Sequence, residues 1–359
     1  MSEIWRVIDT GLRNAAQNIA ISRSLLEARQ AGEVPSTLRF LRYTPCALLS
    51  SGQSAAQELN LDYCGPRKIP LQRRITGGSA DYCDATQLEW ELCLHQSNLD
   101  CTDRHLFARR VCHAAATAIS ALGIDARFRP RGDIEVDGRR IMSGGGAFDG
   151  DALLYRGSLM IDTDVGEMLR VLRLPVERFS DTGIASARKR VASLQDLLGY
   201  RANPEMLKHY LTEVFENEFN VEFRESDLTL AEHARYHAAL AEIDTPDWVD
   251  LDNRPASDAP MYEAAHKYPK GTLNVRLIYD KPMHRIRQVW FGGDIAIVPP
   301  RTLADLEATL HDSSVERLDH NVRVFFAARR VDMPWLTTDD LIAVTRLAVR
   351  QPLVLHRRE

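Results

Sequence analysis

Between Gln72 and Ala80 the chain reads Gln-Arg-Arg-Ile-Thr-Gly-Gly-Ser-Ala, setting the guanidinium groups of Arg73 and Arg74 beside the Thr76 hydroxyl and a Gly77-Gly78 turn that runs on through Ser79 and Ala80. Glycine leaves backbone N–H groups unhindered, and an arginine fork matches the oxygens of a carboxylate or phosphate, so this run can clasp an anion. A second run, Asp133 to Phe148, holds a hairpin signal at Val136-Asp137-Gly138-Arg139, then Arg140 and the glycines Gly144, Gly145 and Gly146. Those glycines are expected to let a loop pack closely over a ligand. Activating a carboxylic acid with ATP requires two mutually repelling anions within attack distance, offset by positive donors and backbone N–H groups. The two runs supply such donors.

The elements that must position these residues follow from periodicity. Apolar residues from about Thr10 to Gly32 recur at helical spacing and predict an amphipathic helix. Thr37 to Ser51 reads as a strand, a turn at Pro45 and a second strand, with Arg74 to Asp84 and Glu89 to His95 continuing the same sheet. Arg104 to Leu122 is helical. Ile124–Arg129, Ile134–Val136, Arg139–Met142 and Leu153–Asp162 read as short strands, and Val165 to Gly199, Pro204 to Phe219 and Leu228 to Ile243 as helical sequence. The prolines and polar residues of Asp244 to Pro260 mark a boundary. Beyond it, Leu273–Tyr279 and Ile286–Phe291 predict a hairpin, Leu303–Leu310 and Thr338–Val349 helices, and Val322–Phe326 a strand. The expected architecture is α+β, with helices on one face of a mixed, largely antiparallel sheet.

The first run is similar to the Arg-Arg-x-x-Gly-Gly-Gly-Ala signature of the lipoate–protein ligase family, whose catalytic domain is shared with biotin protein ligases. Ser79 stands where that family has a third glycine. The second run resembles the family's Asp-x-x-Val-x-Gly-Lys-Lys-Ile-Ser-Gly element, with Arg140 at the second lysine, the one that touches acyl carbonyl and phosphate. Ser50 to Ser54, including Gln53, resembles the Gly-x-x-Gln turn of the adenylate pocket, and Leu154 to Asp162, including Gly157, resembles the Gln-Gly-Thr-Leu-Leu-x-Asp strand. Gly183 to Leu194 is similar to the element that closes the catalytic domain, and Tyr268 to Val275 resembles a run of the accessory domain.

The resemblance implies a catalytic domain over 1–243 with trailing helices, a linker over 244–260 and a small α+β accessory domain over 261–359. It also implies that Arg73, Arg74, Thr76, Gly77, Gly78, Ser79, Ala80, Gln53, Gly144, Gly145 and Gly157 bind the acyl and adenylate groups. Arg140 would stand at the catalytic position, and Asp133 would help position adenylate or magnesium. ATP, Mg2+ and lipoate or octanoate are the implied reactants, and a lysine of a lipoyl-domain protein is the implied acceptor. Two alternatives stay open. A non-adenylating homologue would bind lipoate, nucleotide or a lipoyl domain; Ser79, Arg140, Asp81 and Cys83 motivate it, the added Asp81 carboxylate opposing a bound anion. An octanoyltransferase would need a cysteine nucleophile, and no cysteine follows Cys112.

The 359 residues are 26% charged and 45% hydrophobic, an ordinary globular balance that favours two domains. With 45 Lys and Arg against 50 Asp and Glu, and no polybasic run, bulk electrostatics gives no reason to expect nucleic-acid binding. Neither a signal core nor a stretch of roughly 18 apolar residues is present, so a cytoplasmic protein is expected, with no membrane contact. The six cysteines lack metal-site spacing and are expected to be free thiols, Cys83 drawing notice because it lies beside the first run. His95, His105 and His113 are expected to be solvated or core residues. The Arg188-Lys189-Arg190 cluster is a solvated helix face or a contact for an acidic lipoyl domain.

Overall fold

Asn14 sets the first boundary. Its side chain accepts from the Gln17 N–H while the Gln17 side chain accepts from the Asn14 N–H, a reciprocal cap that starts helix α1 (Ala15–Gln30). Residues 10–13, expected to be helical, instead finish a strand, β1 (Glu3–Arg13), absent from the sequence reading. In the computed structural model the described residues are 3–51, 53, 55–77, 80–98, 104–129, 132–172, 191–250, 261–293, 295, 297 and 301–351. The chain divides into two compact units, the first comprising Met1–Thr76 and Ala80–Leu251, the second Gly77–Ser79 and Asp252–Glu359.

The first unit is built on an eight-stranded sheet. Its strands after β1 are β2 (Thr37–Tyr43), β6 (Gln87–His95), β7 (Arg127–Arg129), β8 (Asp133–Val136), β9 (Arg139–Asp149), β10 (Ala152–Met160) and β11 (Val221–Glu225), in the order β11-β1-β2-β6-β10-β9-β8-β7. Only the β11–β1 and β1–β2 pairs are parallel. β3 (Cys46–Leu49), β4 (Leu71–Arg73) and β5 (Asp81–Cys83) form a separate three-stranded sheet rather than continuing the large one. Arg74 therefore lies just past β4, not on a strand. The Gly144–Gly146 run, expected to be a loop, continues β9 through Asp149.

Helices cover both faces of the large sheet, not one. On one face Leu38, Phe40, Leu88, Trp90, Leu92 and Tyr155 pack with α2 (Arg104–Ser120) and α3 (Pro204–Phe219). On the other lie α1 and α4 (Leu230–Ile243) with the small sheet. A one-turn helix, Pro246–Val249, falls inside the expected linker and packs on β4.

The cap of α4 doubles as a tether for β1. Glu232 accepts from the Thr229 N–H and hydroxyl, and its carboxylate, 0% exposed, pairs with the Arg6 guanidinium. Burial pushes the Glu232 carboxyl up, but the Arg6 guanidinium and the Thr229 donors outweigh it and leave it below its ordinary 4.5. The pair's contribution is therefore complete above pH 4.5 and fades as pH falls through the lower folded value. The loss in Tm caused by Glu232→Gln, read by circular dichroism, is expected to be largest near neutral pH and to vanish in acid; an equal loss at every pH refutes this.

In the second unit β12 (Met261–Tyr268), β13 (Gly271–Asp280), β14 (Arg285–Gly293) and β15 (Ser313–Ser314) form one antiparallel sheet in that order. Helices α5 (Arg301–Leu310), α6 (Leu318–Ala327) and α7 (Thr338–Val349) share a core with it. Residues 322–326, expected to form a strand, lie in α6, because Leu318, Val322 and Phe325 make the buried stripe at helical spacing. Among the described residues no helix is long and apolar enough to cross a membrane.

Candidate active site

The two arginines of the first run diverge. Arg73, 2% exposed, donates from Nε and Nη2 to the Val249 carbonyl at 3.1 and 2.7 Å and from Nη1 to the Ser50 carbonyl at 2.9 Å. Its donors tie the Pro246–Val249 turn to the small sheet, and Trp248 Nε1 returns a bond to the Arg73 carbonyl. Its fork thus meets main-chain oxygens of Ser50 and Val249.

Arg74 points elsewhere. It lines a small, partly open cavity with Ser22, Tyr43, Thr76, Glu91 and Arg156, backed by Ile19, Ile75 and Leu154. Burial and the neighbouring Arg156 charge push its guanidinium down to about 10, against the opposing pull of Asp81, Cys83 and Glu89. Thr76 is 2% exposed, and its hydroxyl has no hydrogen-bond partner among the described residues. Gln53, 1% exposed, folds back so that its Oε1 accepts from the Ser50 N–H, and the Ser51 N–H bonds the Thr76 carbonyl. The Gln53 turn is thus joined to Thr76 through the main chain. Gly77 follows directly, Ala80 is half-buried against the small sheet, and Gly78 and Ser79 lie outside the described residues.

A belt of buried charge lies on the face of the large sheet beneath this cavity. Glu91 accepts from Arg39 Nη1 at 2.9 Å and from the Ser22 hydroxyl at 2.6 Å. Arg156 sits 3.0 Å from Glu89 and 3.5 Å from Asp81, and Ser143 donates to Asp81 at 3.2 Å. The Asp81 carboxylate, expected to oppose a bound anion, therefore has the Arg156 charge against it. Burial pushes the Glu89 carboxyl up while Arg156 pulls it back. Of this belt, Asp81 is singled out in the sequence and Ser143 and Arg156 fall within runs named above, whereas Ser22, Arg39, Glu89 and Glu91 read only as parts of a predicted helix and strands.

The remaining candidates separate by face. Gly145 pairs with Arg156 across β9 and β10, and Arg140 pairs with Glu135, whose strand neighbours Ile134 and Val136 belong to the helix-covered core; both glycine and arginine thus share the charged face. The Arg140 carbonyl accepts from the Ala192 N–H, and its buried Nε has no hydrogen-bond partner among the described residues. Asp133 lies on β8 opposite Arg129. Gly144 and Gly157 face the other way. A Cβ on Gly157 would lie 2.3 Å from the Trp90 ring, and one on Gly144 2.7 Å from the Gly132 carbonyl and 2.8 Å from the Tyr155 hydroxyl. Both therefore sit beneath side chains of the helix-covered core.

The five described cysteines are free and buried; Cys83 opposes Cys46 across β5 and β3, and burial pushes both thiols up. Cys101, the side chain of His105 and the Arg188–Arg190 cluster lie outside the described residues. Among the described residues no group of three or more His, Cys, Asp or Glu could hold a metal ion.

The sequence and fold that carry this site resemble those of known proteins. The model of the lipoyl protein ligase A/B catalytic domain matches residues 14–216, and the chain belongs to that family. Lipoate-protein ligase A subunit 1 of Thermoplasma acidophilum is 28% identical over 231 residues, covering 62% of this chain and 86% of that protein. The octanoyltransferase LipM of Moorella thermoacetica is 25% identical over 268 residues, covering 69% of this chain and 98% of its own. Among solved structures, a lipoate-protein ligase A bound with ATP superimposes with a TM-score of 0.60 at 25% identity, covering 69% of this chain and 98% of that one.

Proposed function

We propose that this protein is an ATP-dependent acyl–protein ligase. A carboxylate oxygen of the acid attacks the α-phosphorus of Mg2+-bound ATP, pyrophosphate leaves, and an acyl-adenylate forms. The amine of a lysine on a lipoyl-domain protein then attacks the acyl carbon, AMP leaves, and the nitrogen loses a proton. The observation that carries this reading is Arg74, buried in a cavity of the face that also bears Gly145 and Arg140. Arg74 and Thr76 would hold the acyl carboxyl group, the Gln53 turn and Gly77 to Ala80 the adenylate, and Arg140 would offset charge as acyl and phosphate oxygens meet. Magnesium would arrive on the triphosphate, with Asp133 helping to place it. Lipoate and octanoate, the acids named in the relatives' descriptions, are the first to test.

Octanoyl transfer through a cysteine thioester is less well supported, because the described thiols are buried and none has a thiolate-favouring setting. A homologue that binds without adenylating is the other reading, and Arg140 favours it, since a guanidinium is bulkier than an ammonium and donates as a fork. Pyrophosphate release and acyl-AMP formation, compared between the native protein and Arg140→Lys, separate the two. Turnover by the native protein is expected. Turnover by the variant alone marks a disabled ligase, and silence in both refutes adenylation.

A further inference from the structure

The short sequence Thr245-Pro246-Asp247-Trp248 folds on itself. The Thr245 hydroxyl accepts from the Trp248 N–H at 3.3 Å, and Pro246, its φ already near the helical value, opens the turn. The Trp248 indole is thereby laid against the buried cluster that contains Ile19, Tyr43, Cys46 and Cys83, with the Arg23 guanidinium 5.9 Å from its ring centre. Its Nε1, a donor only, points at the Arg73 carbonyl 2.8 Å away, across 175 residues of sequence. That carbonyl belongs to the peptide joining Arg73 to Arg74, and the N–H of the same peptide donates to the Leu49 carbonyl at 2.8 Å. A peptide unit is planar and stiff, so holding both of its polar ends fixes its plane and hence the direction in which the Arg74 side chain leaves the backbone. The β3–β4 ladder cannot do this alone, because its last pair is Leu49 with Arg73. The donor is itself anchored: Gln72 Nε2 holds the Ile243 carbonyl at 3.0 Å, and Arg73 Nε and Nη2 hold the Val249 carbonyl on the far side of Trp248.

We infer that Trp248 is a positioning residue for Arg74, acting through the Arg73–Arg74 peptide and touching no reacting group itself. This rests on the ligase reading only in giving Arg74 a carboxyl group to meet. A displacement of about 1 Å at a reacting centre can cost about 10²-fold in rate, so a loosened Arg74 loses turnover while the protein stays folded.

The test compares the native full chain with Trp248→Phe, which keeps a ring against the cluster and deletes the N–H donor, with Arg74→Leu, and with the double variant. Hydrogen exchange at main-chain amides and pyrophosphate release with Mg2+-ATP and lipoate are measured for each. In Trp248→Phe the Arg74 amide is expected to exchange about tenfold faster while the amides of β6 and β10 keep their native rates. The kcat for pyrophosphate release should fall about tenfold, and the double variant should be no slower than Arg74→Leu alone, because the two changes act through one group. Losses that multiply in the double variant overturn the inference, as does an unchanged Arg74 amide or faster exchange throughout the large sheet. No pyrophosphate from the native protein, with faster exchange confined to Arg74 and its neighbours, removes the ligase reading and upholds the positioning of Arg74 by Trp248.

Discussion

Glu91→Ala is expected to lower the unfolding free energy by about 3–5 kcal/mol, measured by urea denaturation, because it strands the Arg39 guanidinium without its carboxylate. Arg39 is 0% exposed and also donates to the Asn18 carbonyl, the Asn18 side chain, Ser22 and Thr10, so it has no route to water. Glu91→Gln keeps one acceptor oxygen for Arg39, while its amide N–H can donate to the Ser22 hydroxyl, which still donates to the Asn18 carbonyl, so it should lose less. Equal losses for the two variants would show that the charge is immaterial. A loss below about 1 kcal/mol for Glu91→Ala would place the pair with exposed ion pairs, against the burial seen here.

Arg74→Leu is expected to disable the cavity that Arg74 lines while leaving the protein folded. Acyl-adenylate formation should fall by about 10²–10³-fold, the range typical of losing one preorganised donor to developing negative charge. A variant that melts far lower without a specific loss in turnover would make Arg74 a residue that holds the fold.

The difference between Arg73 and Arg74 shows where sequence was sufficient and where it was not. The Arg-Arg-Ile-Thr-Gly-Gly pattern located the candidate site, and the α+β class followed from strands and helices read by period. Which arginine faces the cavity depends on Val249, a partner 176 residues away that no local pattern announces. The same holds for β6. Leu88, Trp90, Leu92 and Leu94 alternate with Gln87, Glu89 and Glu91, the ordinary pattern of a strand with one wet face. That second face is instead covered by α1 and the small sheet, and the compensating charges come from Arg39 and Arg156, 52 and 67 residues distant from Glu91 and Glu89. Gly144 and Gly157 illustrate a different limit: a glycine that gives room to a ligand and one that gives room to Trp90 read alike until the facing side chain is known. In α6 the run Val322–Phe326 reads as a strand, yet Val324 is 53% exposed and Leu318, Val322 and Phe325 set the true period.

The place of β1 has a consequence for how the chain reaches this state on the ribosome. The strand lies between β2, made almost at once, and β11, whose Val221 pairs with Glu3, while its Arg6 waits for Glu232. At about 5–20 residues per second the intervening chain takes roughly ten to forty seconds to emerge. Throughout that interval one long edge of a nascent parallel pair stands open, a template for intermolecular pairing. Synthesis of the first unit is thus a race between translation and association, and slowing elongation before β11 should lower soluble yield without altering the finished protein.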